Sequence, residues 1–167
     1  MELAMIGFGR MGSGLTGRLT QAGHRVVVVD PHAEAAKVAE RGGEGPVALA
    51  GIREQLAAPR VAWVMVPAGD PTEEVITQLH DILEPGDLII DGGNSNFHDS
   101  QRRARKAEAH GLAFMDIGVS GGVWGLTEGF GLMAGGDDAS FARMEPALTA
   151  LAPPEGGDRP LGYTPEA

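Results

Sequence analysis

The feature that most constrains this chain lies at its start. A short apolar run, Leu3 to Ile6, leads directly into Gly7-Phe8-Gly9-Arg10-Met11-Gly12. Alone, G-x-G-x-x-G is a weak signal in a chain with 26 glycines. Its position strengthens it, because it follows one predicted strand and opens a predicted helix, Met11 to Ala22, with Leu15 and Leu19 on one face. A strand that turns into a helix through glycine exposes unpaired amides and a positive dipole end, which favour an anion. Each glycine then has a use: a tight turn, close approach to a pyrophosphate, and helix–strand packing.

The rest of the chain repeats that alternation. Arg25-Val26-Val27-Val28-Val29-Asp30 holds four consecutive valines, the pattern of a strand covered on both faces. Helical stretches are predicted over Ala33 to Arg41, Pro71 to Leu83, Asp99 to His110 and Ser140 to Leu151. Between them lie predicted strands at Arg60 to Val66, Asp87 to Asp91, Leu112 to Val119 and Phe130 to Ala134, with a weak strand or loop at Val47 to Leu49. Strands alternating with helices imply an α/β fold of the Rossmann type, a doubly wound, mostly parallel sheet with helices on both faces. Residues 1–152 are expected to form this dinucleotide-binding domain, and 153–167 an irregular tail rich in proline and glycine.

Asp30 ends the second strand, 18 residues after Gly12. A carboxylate there accepts hydrogen bonds from the adenosine ribose hydroxyls and repels a 2′-phosphate, so NAD is the favoured cofactor. Capping of the next helix is the competing role for Asp30. Arg25 and His32 are cations available to a 2′-phosphate, which leaves NADP open. The net charge of −10 argues against non-specific nucleic-acid binding. It also requires that an anionic ligand be held by local devices such as backbone amides. Cysteine is absent, which removes disulfides and thiolate chemistry. Without a basic leader or an apolar run of about 20 residues, the expectation is a cytoplasmic protein that does not engage a membrane.

Three further segments sit at predicted strand ends, where open α/β sheets hold their ligands. They are Val66-Pro67-Ala68-Gly69, Asp91-Gly92-Gly93-Asn94-Ser95 and Val119-Ser120-Gly121-Gly122-Val123-Trp124-Gly125. Together with the glycine loop they resemble the β-hydroxyacid dehydrogenase superfamily. The DGGNS and SGGVWG segments resemble the decarboxylating 6-phosphogluconate dehydrogenases, especially their shorter, often NAD-preferring bacterial form, over about residues 1–150. Dehydrogenases of the 3-hydroxyisobutyrate type share the glycine loop and the Ser-Gly-Gly segment but differ at DGGNS. They are the alternative, and a non-catalytic dinucleotide-binding module is a third reading.

The resemblance implies site roles. Asn94, Ser120, Gly121 and Gly122 would hold a phosphorylated sugar acid near the nicotinamide. Val66, Pro67, Ala68, Gly69 and Asn94 would line the cofactor beside Gly7, Phe8, Gly9, Arg10, Met11, Gly12 and Asp30. It further implies that the proton-transferring Lys, Asn and Glu belong to a helical segment following the Rossmann domain. No such segment is recognised here, so the isolated chain is expected to bind NAD with little turnover, and a homodimer is a further expectation.

Other features read as structure. Arg102, Arg103, Arg105 and Lys106 are expected on a solvated helix face rather than in a phosphate clamp. His24, His80, His98 and His110 show no metal or triad spacing, and are expected at the surface or in turns. Met5, Met11, Met65, Met115 and Met133 are expected in the core. Trp124 either shapes the substrate pocket or packs its loop.

Overall fold

In a computed structural model, residues 1–122 and 124–154 are described. The strands are β1 (Glu2–Ile6), β2 (Arg25–Val29), β3 (Val61–Val64), β4 (Leu88–Asp91), β5 (Ala113–Ser120) and β6 (Gly131–Gly135). The helices are α1 (Arg10–Gln21), α2 (Ala35–Glu40), α3 (Ile52–Gln55), α4 (Asp70–Ile82), α5 (Phe97–Ala109), α6 (Gly125–Glu128) and α7 (Asp138–Leu151). The strands form one sheet in the order β2-β1-β3-β4-β5-β6. β1 to β5 run parallel, and β6 closes the edge antiparallel to β5. This is the expected doubly wound architecture, with one antiparallel strand added.

Two apolar layers cover the sheet. Along β1, Leu3 and Met5 pack on one side with Leu15 and Leu19 of α1 and with Met144, Ala147, Leu148 and Leu151 of α7. Ala4 and Ile6 face the other side, with Ile76 and Leu79 of α4 and Ala107 of α5. The alternation follows from the two-residue period of a strand. In the valine run, Val26 joins the first layer and Val27 and Val29 the second, so β2 is indeed covered on both faces.

Several elements depart from the sequence reading. β3 ends at Val64, although Met65 still donates its amide to Ile6 O at 2.7 Å. The segment expected as a weak strand near Val47 follows a single parallel bridge between Val27 and Glu44, then becomes a 3-10 turn at Leu49–Gly51. α5 starts at Phe97 because the Asn96 side chain accepts the His98 amide at 2.9 Å. Asp137 starts α7 in the same way through Ser140. α6 is a single turn that the periodicity did not reveal. Of the expected tail, residues from 155 onward lie outside the described residues. Among the described residues, no helix is long and apolar enough to cross a membrane.

The topology fixes where a ligand is held. From β1 the chain moves outward to β2 and then crosses to β3 on the other flank. The loops after β1 and β3 therefore diverge, leaving a crevice at their carboxyl ends.

Candidate dinucleotide site

That crevice is a cleft of about 1270 Å³. Its floor is the glycine loop. Gly7 has φ +100, and a Cβ there would lie 2.7 Å from Met65 O, so the strand-to-helix turn needs glycine. A Cβ on Gly12 would run into the Gly7 carbonyl oxygen, which requires a second glycine where the helix folds back on the turn. Gly9 differs: its φ is −66, and a Cβ there would meet nothing within 4 Å. It is the N-cap of α1 and supplies no side-chain cap. The amides of the first turn after it have no intrahelical acceptor, the arrangement an anion needs. This cradle fits the pyrophosphate of a dinucleotide.

Asp30 stands beside the loop. Its Oδ2 accepts the Phe8 amide at 2.7 Å and its Oδ1 accepts the His32 amide at 2.8 Å. Each oxygen keeps a second lone pair for a ribose hydroxyl. Asp30 thus organises the turn after β2 and lines the cleft, and it does not cap the next helix, whose N-cap is Glu34. The cleft wall nearby is apolar, with Pro31, Pro46, Val47, Leu49 and Val75 suited to a flat aromatic base. Sequence reasoning missed these wall residues, because they are brought together only by the 3-10 turn and the exposed side of α4.

Of the predicted cofactor residues, Gly7, Gly9, Arg10, Met11, Asp30, Val66, Pro67 and Asn94 line the cleft. Phe8 and Gly12 lie behind them, the first bound to Asp30 and the second packed on Gly7. Ala68 and Gly69 are exposed and lie outside the lining, because the chain turns away at Gly69, φ +95, to start α4. Of the two cations considered for a 2′-phosphate, His32 lines the cleft. Arg25 does not: it begins β2 at the opposite end of the sheet and is held by Glu2 at 2.8 Å and Glu44 at 2.7 Å.

A second cleft, about 1320 Å³, opens over β5, β6 and α7 and shares Asn94 and Val119 with the first. Asn94 is the junction. It is the only non-glycine residue with positive φ among the described residues, at +54. Its Oδ1 accepts the Val119 amide at 3.0 Å and its Nδ2 donates to Val119 O at 3.2 Å. One N–H and one lone pair remain for a ligand. Ser120 is exposed and lines the second cleft, whereas Gly121 and Gly122 do not. Gly121, φ +146, is required because a Cβ would press on Phe130 at 2.9 Å, and around Gly122 there is open space.

Three sequence expectations are corrected. Arg103 is not on a solvated face: its side chain is 2% exposed and bound to Asp91, Ser95 and Glu73, while Arg102, Arg105 and Lys106 are exposed. His80 is half-buried and stacked on His110 with ring centroids 4.6 Å apart. Met133 is 72% exposed on β6, an edge strand where no helix among the described residues covers this side chain, whereas Met5 and Met115 are buried. Trp124 is 71% exposed.

A doubly wound sheet with a glycine cradle at its switch point and a carboxylate at the end of its second strand defines a dinucleotide-binding domain. Comparison with known proteins carries this further. The family model for the NAD binding domain of 6-phosphogluconate dehydrogenase matches residues 2–155, and the chain belongs to that family of oxidoreductase domains. The NAD(+)-dependent, decarboxylating 6-phosphogluconate dehydrogenase of Haloferax volcanii is 39% identical over 163 residues, covering 97% of this chain and 54% of that protein. A decarboxylating 6-phosphogluconate dehydrogenase of Synechococcus elongatus is 40% identical over 157 residues, covering 90% of this chain and 33% of that protein. The chain thus spans between a third and about half the length of these relatives. Among solved structures, 3-hydroxyisobutyrate dehydrogenase of Mycobacterium tuberculosis superposes with a TM-score of 0.78 at 30% identity, covering 90% of this chain and 52% of that one. The Plasmodium falciparum 6-phosphogluconate dehydrogenase, whose cofactor is NADP+, superposes at 0.81 with 24% identity, covering 93% of this chain and 35% of that one, a likeness of fold.

Proposed function

We propose that residues 1–152 form the NAD-holding unit of a cytoplasmic enzyme that oxidises and decarboxylates 6-phosphogluconate to ribulose 5-phosphate. The observation that carries this reading is the continuity of the two clefts at Asn94. Asp30 holds the adenosine ribose, the amides opening α1 hold the pyrophosphate, and the distal half of the dinucleotide rests towards Gly92, Gly93 and Asn94. From the second cleft, Ser120 and the free valences of Asn94 orient the sugar acid beside it, with the Gly121-Gly122 turn following Ser120 outside the lining. The resemblance of DGGNS and SGGVWG to the 6-phosphogluconate dehydrogenases supports this assignment. Bound NAD supplies the hydride acceptor.

Oxidation of the hydroxyl also needs a proton acceptor placed within hydrogen-bond reach. Asp116 is the one titratable side chain in the described lining of the second cleft. We assign to this chain the binding and orientation of cofactor and sugar acid; the resemblance to the 6-phosphogluconate dehydrogenases supports giving the proton transfers to the Lys and Glu of a helical segment rather than to Asp116. The 167-residue chain alone is predicted to bind NAD without reducing it. Met133 and Phe141, 72% and 47% exposed, are the apolar surface through which a homodimer would form. Light scattering across a concentration series tests this: self-association that a Met133→Lys variant abolishes supports the dimer, and a monomer throughout removes it.

The likeness to the Mycobacterium tuberculosis 3-hydroxyisobutyrate dehydrogenase supports a second reading, in which the substrate is a short β-hydroxy acid. A chimera joining residues 1–152 to the remaining half of the Haloferax volcanii relative separates the two. NADH formation from 6-phosphogluconate is expected. Turnover confined to 3-hydroxyisobutyrate would transfer the assignment to the second reading.

A further inference from the structure

Arg103 is the one buried member of the basic run on α5. Its Nη1 donates to Asp91 Oδ2 at 2.8 Å and to Ser95 Oγ at 2.9 Å, and its Nε donates to Glu73 Oε2 at 2.9 Å. Asp91 is completely buried. Its other oxygen accepts the Gly93 amide at 3.0 Å and the Ser95 hydroxyl at 3.1 Å. One guanidinium therefore grips both ends of the turn 91–95, and its fork geometry suits it to reach several acceptors at once. Glu73 belongs to the first turn of α4, where the neighbouring Thr72 hydroxyl donates to Pro67 O at 2.9 Å. The segments after β3 and β4 are thereby joined through Arg103. Asn94, held to Val119, extends the connection to the end of β5.

The turn so gripped is a demanding one. Asn94 adopts the left-handed conformation, uncommon outside glycine, and its bonds to Val119 hold it there. Gly92, Gly93 and Asn94 form the far wall of the cofactor cleft, away from Asp30. With the adenosine ribose on Asp30 and the pyrophosphate on α1, the remaining half of a dinucleotide must extend to that wall. We propose that Arg103 is a positioning residue that fixes the Gly92–Asn94 wall for the nicotinamide half of the cofactor, an inference that rests on the cofactor reading given above.

The experiment is a calorimetric titration of the chain and of Arg103→Lys and Ser95→Ala with two ligands, NAD and ADP-ribose. ADP-ribose carries the adenosine and pyrophosphate but no nicotinamide. Lysine keeps the charge but cannot contact Asp91, Ser95 and Glu73 together. R103K is expected to lose NAD affinity about tenfold while ADP-ribose changes less than about twofold, with S95A showing the same selectivity at smaller size. Equal losses for both ligands would reduce Arg103 to a general structural strut, and unchanged affinities would overturn the proposal outright. Should R103K fail to fold by circular dichroism, S95A alone decides between these results. An unmutated chain that binds neither ligand would overturn the cofactor reading itself, and this inference with it. Binding of both by that chain, with no selective loss in either variant, would overturn only the role given to Arg103.

Discussion

The carboxylate of Asp30 lies 2.7 Å from the backbone amide of Phe8, so the group proposed to recognise ribose also braces the glycine loop. On the proposed reading, cofactor selectivity and loop geometry depend on one side chain. Asp30→Ala removes the ribose acceptor and leaves the Phe8 and His32 amides without their partner. The expected outcome is a loss of NAD affinity of at least about tenfold, near 1.4 kcal/mol, by calorimetric titration. A lowered melting temperature should accompany it. Asp30→Asn, which keeps an acceptor oxygen but not the charge, should recover part of the stability and less of the affinity.

The loop glycines should separate stability from binding. Gly12→Ala drives a methyl into the Gly7 carbonyl and should destabilise the chain by about 2 kcal/mol or more in urea unfolding. At Gly9 the added methyl meets nothing within 4 Å and the backbone is ordinary for any residue. Gly9→Ala should stay within about 1 kcal/mol of the original stability. NAD binding should nevertheless fail, because the methyl would occupy the space reserved for the pyrophosphate.

The parts of this fold legible in sequence were those with local causes. Four consecutive valines specify a strand covered on both faces, and Gly7 to Gly12 specify the strand-to-helix turn. The cleft wall at Val47, Leu49 and Val75 was not legible, since no local pattern brings a 3-10 turn against the side of α4. Arg103 was misread because Arg102, Arg105 and Lys106 around it are exposed, and burial of a cation depends on carboxylates distant in sequence. Glu73 and Asp91 supply these from two other elements. Met133 sits in an apolar run, but it belongs to an edge strand whose outer face no helix among the described residues covers.

Acid should weaken this arrangement in a defined window. The guanidinium of Arg102, with that of Arg103 behind it, holds the Glu73 carboxyl down at about 2 from a usual 4.5. A pKa lowered in the folded state means that the unfolded chain takes up the proton first. The contribution of Glu73 is therefore complete above about 4.5 and is lost as the pH falls towards 2. Urea midpoints across this range should fall more steeply for the original chain than for Glu73→Gln. The variant should start lower at neutral pH and converge with it in acid.

A second window opens nearer neutrality. Burial pushes the His80 imidazole below its usual 6.5, and the neighbouring His110 and Lys106 act in the same direction. The folded state disfavours the charged imidazole, so stability is complete above 6.5 and declines as the pH falls below it. His80→Phe retains an aromatic ring against His110 and removes the titration. Its melting temperature should depend less on pH just below 6.5 than that of the original chain, with His24, shifted the same way by burial, accounting for the remaining slope.

The most direct test of the central claim is calorimetric titration of the 167-residue chain with NAD and, separately, with NADP. NAD should bind at least about tenfold tighter, a difference near 1.4 kcal/mol, if Asp30 accepts the ribose hydroxyls and repels a 2′-phosphate as proposed. NADP binding equally or more tightly would contradict the role of Asp30, and binding of neither would contradict the glycine cradle as a working cofactor site.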